Sequence, residues 1–168
     1  MSSLQRVRAR VLALDADTAT KALWLLALAS DQGISLRVTS TTRSFATQTA
    51  LYAQGRKSLE DVNLLRVSAG LDPIVKMGAG AVVTWAKAGE SWHNYGRAFD
   101  VVPILNKKPD WLSPAWDIIG EMGEECGLEW GGRWSAGKKD VPHFQNPQGK
   151  TLAQAALALP GGMPGTFV

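Results

Sequence analysis

The chain has 168 residues, of which 45% are hydrophobic and 20% charged, the size and balance of one compact globular domain, residues 1–168, with a real core. Its single cysteine, Cys126, excludes an intramolecular disulfide and any thiolate-cluster metal site, and is expected to serve as a small buried hydrophobe. The formal net charge of +3 is carried by scattered residues such as Arg6, Arg8, Arg10, Arg37 and Arg56, so an anionic partner is favoured only weakly and no nucleic-acid partner is expected.

Arg6, Arg8 and Arg10 precede Val11-Leu12-Ala13-Leu14, but Asp15 and Asp17 interrupt the apolar stretch before a secretory core can form. The run from Ala22 to Ala29 falls short of the ~20 apolar residues that a membrane helix needs. A protein made in the cytoplasm without a signal peptide, and without stable membrane association, is the expectation. Apolar positions at helical spacing (Leu23, Leu26, Ala27) predict a first helix over about Asp17 to Gln32, with Gly33 as its stop. Alternation over Ile34 to Thr41 predicts a strand that delivers Arg43 at its exit. Ser44 is a plausible N-cap for a helix through Gln48 and Tyr52 to Gly55, and Arg56 to Lys76 reads as a polar helix or loop excursion.

Gly78-Ala79-Gly80-Ala81 predicts a loop feeding a short strand at Val82-Val83-Thr84-Trp85, and Ala98 to Pro103 another strand, ended by its proline. Ser113-Pro114 predicts the start of a helix running to Gly127. Trp130-Gly131-Gly132-Arg133-Trp134 reads as a loop, Pro142 to Gln145 as a last strand, Thr151 to Leu159 as a short helix and Pro160 to Val168 as a loose tail.

The only two histidines stand in motif-like settings, Ser91-Trp92-His93-Asn94-Tyr95-Gly96-Arg97-Ala98-Phe99-Asp100 and Asp140-Val141-Pro142-His143-Phe144-Gln145. Taken alone, His93 reads equally as a group bonding a carbonyl, Asp100 as a turn cap and His143 as a satisfied core histidine. Taken together, two imidazoles and a carboxylate make a full protein ligand set for a catalytic zinc that keeps a position for water, and a second aspartate supplies a base. Six residues between His93 and Asp100 require a loop-to-strand geometry rather than one helix face, and Gly96 suits a tight path between them. Residues three apart on a strand face opposite sides, so Asp140 has to precede the strand that carries His143.

The string Ser91, His93, Gly96, Ala98, Asp100, followed by Trp-Gly-Gly and Asp-x-Pro-His-Phe-Gln, resembles the zinc peptidases that cut bacterial cell-wall peptides. It looks closest to their L-alanyl-D-glutamate endopeptidase branch, which includes many phage endolysins, rather than the D-alanyl-D-alanine carboxypeptidase branch. The segment Thr42 to Arg56 also resembles that branch's arginine-bearing stretch, and the likeness covers roughly Leu36 to Gln145. Where related endopeptidases often carry an acidic residue after Trp-Gly-Gly, this chain has Arg133.

The resemblance implies an α+β domain whose small antiparallel sheet carries one zinc ion, flanked by helices. It makes His93, Asp100 and His143 the metal ligands, Asp140 the general base and Arg43 the partner of a substrate carboxylate and oxyanion; a surface ion pair with Asp61 or Glu60 is the plain alternative for Arg43. Gln48 stands either as a substrate hydrogen-bond donor or as a helix-surface glutamine, and Ser91 either near the metal or as a turn cap. Tyr95, Trp130 and Trp134 stand either as a peptide groove or as loop anchors. The implied protein is a monomer acting on peptidoglycan stem peptides, made in a host cytoplasm and acting on the wall after release. A D,D- or L,D-carboxypeptidase on the same scaffold and a non-catalytic wall-binding module are the rivals.

Overall fold

A computed structural model describes residues 8–77 and 82–159. The expected tail from Pro160 and the loop Gly78–Ala81 lie outside the described residues, as do residues 1–7. The chain divides into two compact units, each assembled from separate stretches: Met1–Thr42 with Gly96–Gln148, and Arg43–Tyr95 with Gly149–Val168.

The first unit holds a five-stranded antiparallel sheet: β1 (Leu36–Ser40), β2 (Ala98–Leu105), β3 (Lys108–Pro109), β4 (Glu129–Trp130) and β5 (His143–Gln145). Its order is β1-β2-β5-β4, with β3 paired to β2 as a hairpin. Helices α1 (Ala16–Asp31) and α4 (Trp116–Glu125) belong to this unit and contribute Leu25, Ala29, Ile119 and Met122 to one apolar core with the sheet residues Val38, Val101, Phe99 and Phe144. This is an α+β architecture with a small antiparallel sheet flanked by helices.

The register sorts the side chains chemically. Directly paired residues share a sheet face, and so do residues two apart on one strand. Phe99 pairs with Phe144, and Phe144 with Trp130; their rings stack at centroid distances of 5.8 and 6.5 Å and form the core face. One residue out of step, Asp100 pairs with His143, and Gln145 pairs with both Ala98 and Glu129, so the opposite face gathers Asp100, His143, Gln145 and Glu129. A one-residue slip would exchange the faces and bury two carboxylates among the aromatics, so the register is strongly specified.

Helix α4 meets the aromatic face through its glycines. A Cβ on Gly123 would lie 2.2 Å from Phe144 Cε1, and one on Gly120 would lie 2.2 Å from the Trp130 ring. Alanine in an exposed helix gains up to about 1 kcal/mol over glycine, but here overpacking costs about 1–3 kcal/mol, because the stacked rings have nowhere to move. Gly123→Ala is therefore expected to lower the thermal midpoint by several degrees; a raised midpoint in a melting experiment would contradict the packing. Cys126 lies in the same core, and burial first, then the Glu125 charge, pushes its thiol up to about 11, so it stays protonated and inert.

Helix α1 starts one residue before the expected position. Asp15 caps it by accepting from Thr18 N at 3.1 Å, and Gly33, at φ +74°, closes it. Two expectations for this unit need correction. Strand β2 runs through Pro103 to Leu105: Ile104 N–H donates to Ser35 O on the β1 side, so position 103 turns its missing N–H the other way, beyond where β5 has ended. Helix α4 begins at Trp116 rather than at Ser113-Pro114, with no side-chain bond at its cap; Ser113 Oγ instead accepts from Ala115 N at 3.3 Å and closes a preceding turn.

The second unit comprises α2 (Phe45–Ala53), α3 (Leu59–Ser68), a 3-10 turn at Trp92–Tyr95 and α5 (Leu152–Leu157). Ser44 and Ser58 cap α2 and α3, and Thr151 forms a capping box with Gln154. The strand expected at Val82–Trp85 does not form. Its backbone is claimed by side chains instead: Arg56 Nη1 donates to Thr84 O at 3.1 Å and Gln48 Nε2 to Ala86 O at 2.8 Å, leaving Val83 and Trp85 exposed. None of the described helices is long and apolar enough to cross a membrane.

Candidate metal centre

Asp100 and His143 occupy adjacent strands as a direct pair, and the Asp100 Oδ1 to His143 Nδ1 distance is 3.1 Å. Their side-chain exposures are 8% for His143 and 16% for Asp100. The other ring nitrogen of His143 lies 3.1 Å from Gln145 Oε1, and Gln145 Nε2 donates to Glu129 Oε2 at 2.7 Å. Burial by itself would depress the His143 pKa, but the hydrogen bond and charge of Asp100, the charge of Asp140 and the Gln145 hydrogen bond together outweigh it and raise the pKa above the usual histidine value.

Asp140 is exposed and precedes β5, as the strand geometry requires. Its amide donates to Gly131 O at 3.0 Å, and its carbonyl accepts from His143 N at 3.2 Å. The Trp-Gly-Gly sequence makes this approach possible. A Cβ on Gly131 would sit 2.5 Å from Asp140 O, and one on Gly132 would sit 2.2 Å from the Trp130 ring; both positions admit hydrogen alone. Trp130 is a buried core residue whose Nε1 donates to Val141 O at 2.8 Å, a loop anchor rather than a groove wall. Trp134 is the partly exposed one, its ring 5.1 Å from that of His143. Arg133 turns outward to pair with Glu124 at 3.1 Å, so the basic residue after Trp-Gly-Gly serves helix α4.

Gly96, at φ +67°, begins the return to β2; its carbonyl accepts from Asp15 N at 3.0 Å, and a Cβ there would meet Asp15 N at 3.2 Å. The tight path expected at this glycine is present.

In the second unit His93 is buried on the 3-10 turn, and its carbonyl accepts from Arg43 N at 2.9 Å. Ser91 caps that turn: its carbonyl accepts from Asn94 N at 2.9 Å, and its Oγ lies 3.4 Å from His93 N. Tyr95 donates its hydroxyl to Gly89 O at 2.9 Å and meets Phe45 and Trp92 edge-on. Gln48 is completely buried and its amide donates to Thr84 Oγ1 and Ala86 O. That makes it an internal brace, neither a surface glutamine nor a group facing a substrate.

Asn94 escaped the sequence reading. It is buried, accepts from Gly89 N at 3.0 Å and donates to Arg43 O at 3.1 Å, tying the histidine turn to the arginine segment. Its place directly after His93 was the only available signal. Gln145 escaped as well, although its two-residue spacing from His143 on a strand places both on one face.

One ligand atom from each of His93, Asp100 and His143 lies within 4.8 Å of the other two, a group that could hold a metal ion. Two imidazoles with one carboxylate suit zinc, and Cys126 is held apart in the core.

The fold is shared with solved peptidases. An L-Ala D-Glu endopeptidase, ChiX, from Serratia marcescens is similar at TM-score 0.52 and 23% identity, over 85% of this chain and 88% of that one. The vancomycin-resistance D,D-pentapeptidase VanY, solved as a mutant with Zn(II), is similar at TM-score 0.53 and 15% identity, over 84% and 83%. In sequence, residues 84–146 match the family model described as D-alanyl-D-alanine carboxypeptidase. The peptidoglycan L-alanyl-D-glutamate endopeptidase CwlK of Bacillus subtilis (strain 168) is 33% identical over 136 residues, 72% of this chain and 66% of the relative. The chain is thus similar to these peptidases, and it spans 66% of the length of that curated relative.

Proposed function

We propose that the chain is a zinc peptidase that hydrolyses the L-Ala–D-Glu bond of peptidoglycan stem peptides and acts as a monomeric phage or prophage endolysin with one zinc per chain. The observation that carries this reading is the Asp100–His143 pair on the polar sheet face, joined by His93 in a potential ligand group. When bound, zinc supplies the Lewis acidity that polarises a scissile carbonyl and acidifies a water. His93, Asp100 and His143 would hold it.

Asp140, exposed and set one turn before His143, takes the proton from the attacking water and returns it to the leaving amine. Arg43 offers a bidentate fork to a stem-peptide carboxylate and charge to the developing oxyanion. Trp134, and Tyr95 with its ring cluster, line the path of the peptide, and Ser91 shapes the His93 turn. The burial of Trp130 and Gln48 takes both out of the substrate-binding set. In this reading the protein accumulates in the host cytoplasm and reaches the wall when a separate membrane lesion releases it.

The endopeptidase choice is supported by the 33% identical relative. The family description, and the solved VanYB complex with D-alanine-D-alanine, favour a carboxypeptidase as the second reading. Digestion of a defined stem pentapeptide separates the two. New N-terminal D-glutamyl products are expected, whereas release of single D-alanine would replace the first reading by the second.

A further inference from the structure

We infer that Gln145 is a positioning residue that fixes which nitrogen of His143 takes the metal, with Glu129 fixing Gln145 in turn. The inference rests on the reading of His143 as a metal ligand. A carboxylate can only accept hydrogen bonds. Glu129 Oε2, 2.7 Å from the Gln145 side chain, therefore receives the amide nitrogen and turns the amide oxygen toward His143 Nε2, 3.1 Å away. An amide oxygen likewise only accepts, so Nε2 must carry a proton. That leaves Nδ1 to coordinate, and Nδ1 is the nitrogen facing Asp100 Oδ1 at 3.1 Å.

The sheet register builds this relay in one step, since Asp100 lies opposite His143 and Glu129 lies opposite Gln145. Ligating histidines commonly give their second N–H to a carboxylate, carbonyl or water, and losing such a partner costs about 10–100-fold in metal affinity. Here an amide stands between imidazole and carboxylate and transmits the polarity of Glu129 to the ring.

The test is zinc affinity, read by chelator competition, together with the nitrogen signals of the His143 ring in zinc-loaded, histidine-labelled protein. The wild type is expected to show Nδ1 metal-bound and Nε2 protonated. Gln145→Leu is expected to bind zinc about 10–100-fold more weakly while keeping its thermal midpoint. Gln145→Glu sets two carboxylates against each other and weakens binding. Gln145→Glu combined with Glu129→Gln restores an acceptor on the ring and a donor behind it, and should return affinity to within a few-fold of wild type.

Nε2 found on the metal, or wild-type affinity in a folded Gln145→Leu variant, would overturn the inference while leaving the zinc reading intact. Zinc binding unaffected by His143→Ala, or absent from the wild type, would overturn both. If Gln145→Leu does not fold, the wild-type ring signals and the double exchange decide alone.

Discussion

His143→Ala is expected to lose zinc and peptidase activity together. The substitution removes one of three proposed ligands and leaves the Asp100 carboxylate, at 16% exposure, without the imidazole that faces it. Zinc affinity should fall by more than the ~10–100-fold that loss of an outer-shell partner alone costs, with hydrolysis falling to background. Metal content of the dialysed protein and turnover of a stem peptide, measured on one preparation, check the coupling. His93→Ala should behave alike, although His93 comes from a 3-10 turn and His143 from the sheet. A variant that kept full zinc and lost only activity would demote its histidine from ligand to substrate contact.

Asp140→Ala should separate what His143→Ala joins. Asp140 holds its segment in place by backbone bonds to Gly131 and His143, and these survive the loss of its carboxylate. Zinc content should stay at the wild-type level while kcat falls about 10²–10⁴-fold, the usual worth of a general base. If this variant instead released the metal, Asp140 would be a ligand and the base would lie elsewhere. Wall lysis absent from the wild type and the variant alike would point to the non-catalytic binding module.

Local signals read well where the chain satisfies its own polar groups: Ser44 caps α2 as expected, α1 and α5 begin within a residue or two of the expected positions, and Gly96 takes a positive φ that suits the tight path between His93 and Asp100. Signals failed where distant side chains competed for the backbone. Val82–Trp85 has strand composition, yet Arg56 and Gln48 take its carbonyl neighbours, and nothing in those four residues records that. Trp130 lies beside two glycines like a loop anchor or a groove wall; only the pairing of β4 with β5 and the glycines of α4 place it in the core. The proposed ligands stood out because histidine occurs only twice. Gln145 and Glu129 did not, because their roles depend on register, which one strand in isolation does not reveal.

The most direct test of the zinc peptidase claim is mass spectrometry of purified peptidoglycan after digestion, with chelator, without it, and with zinc restored. New N-terminal D-glutamyl fragments that vanish with chelator and return with zinc are expected. Products that persist in chelator, or an untouched wall under all three conditions, would contradict it.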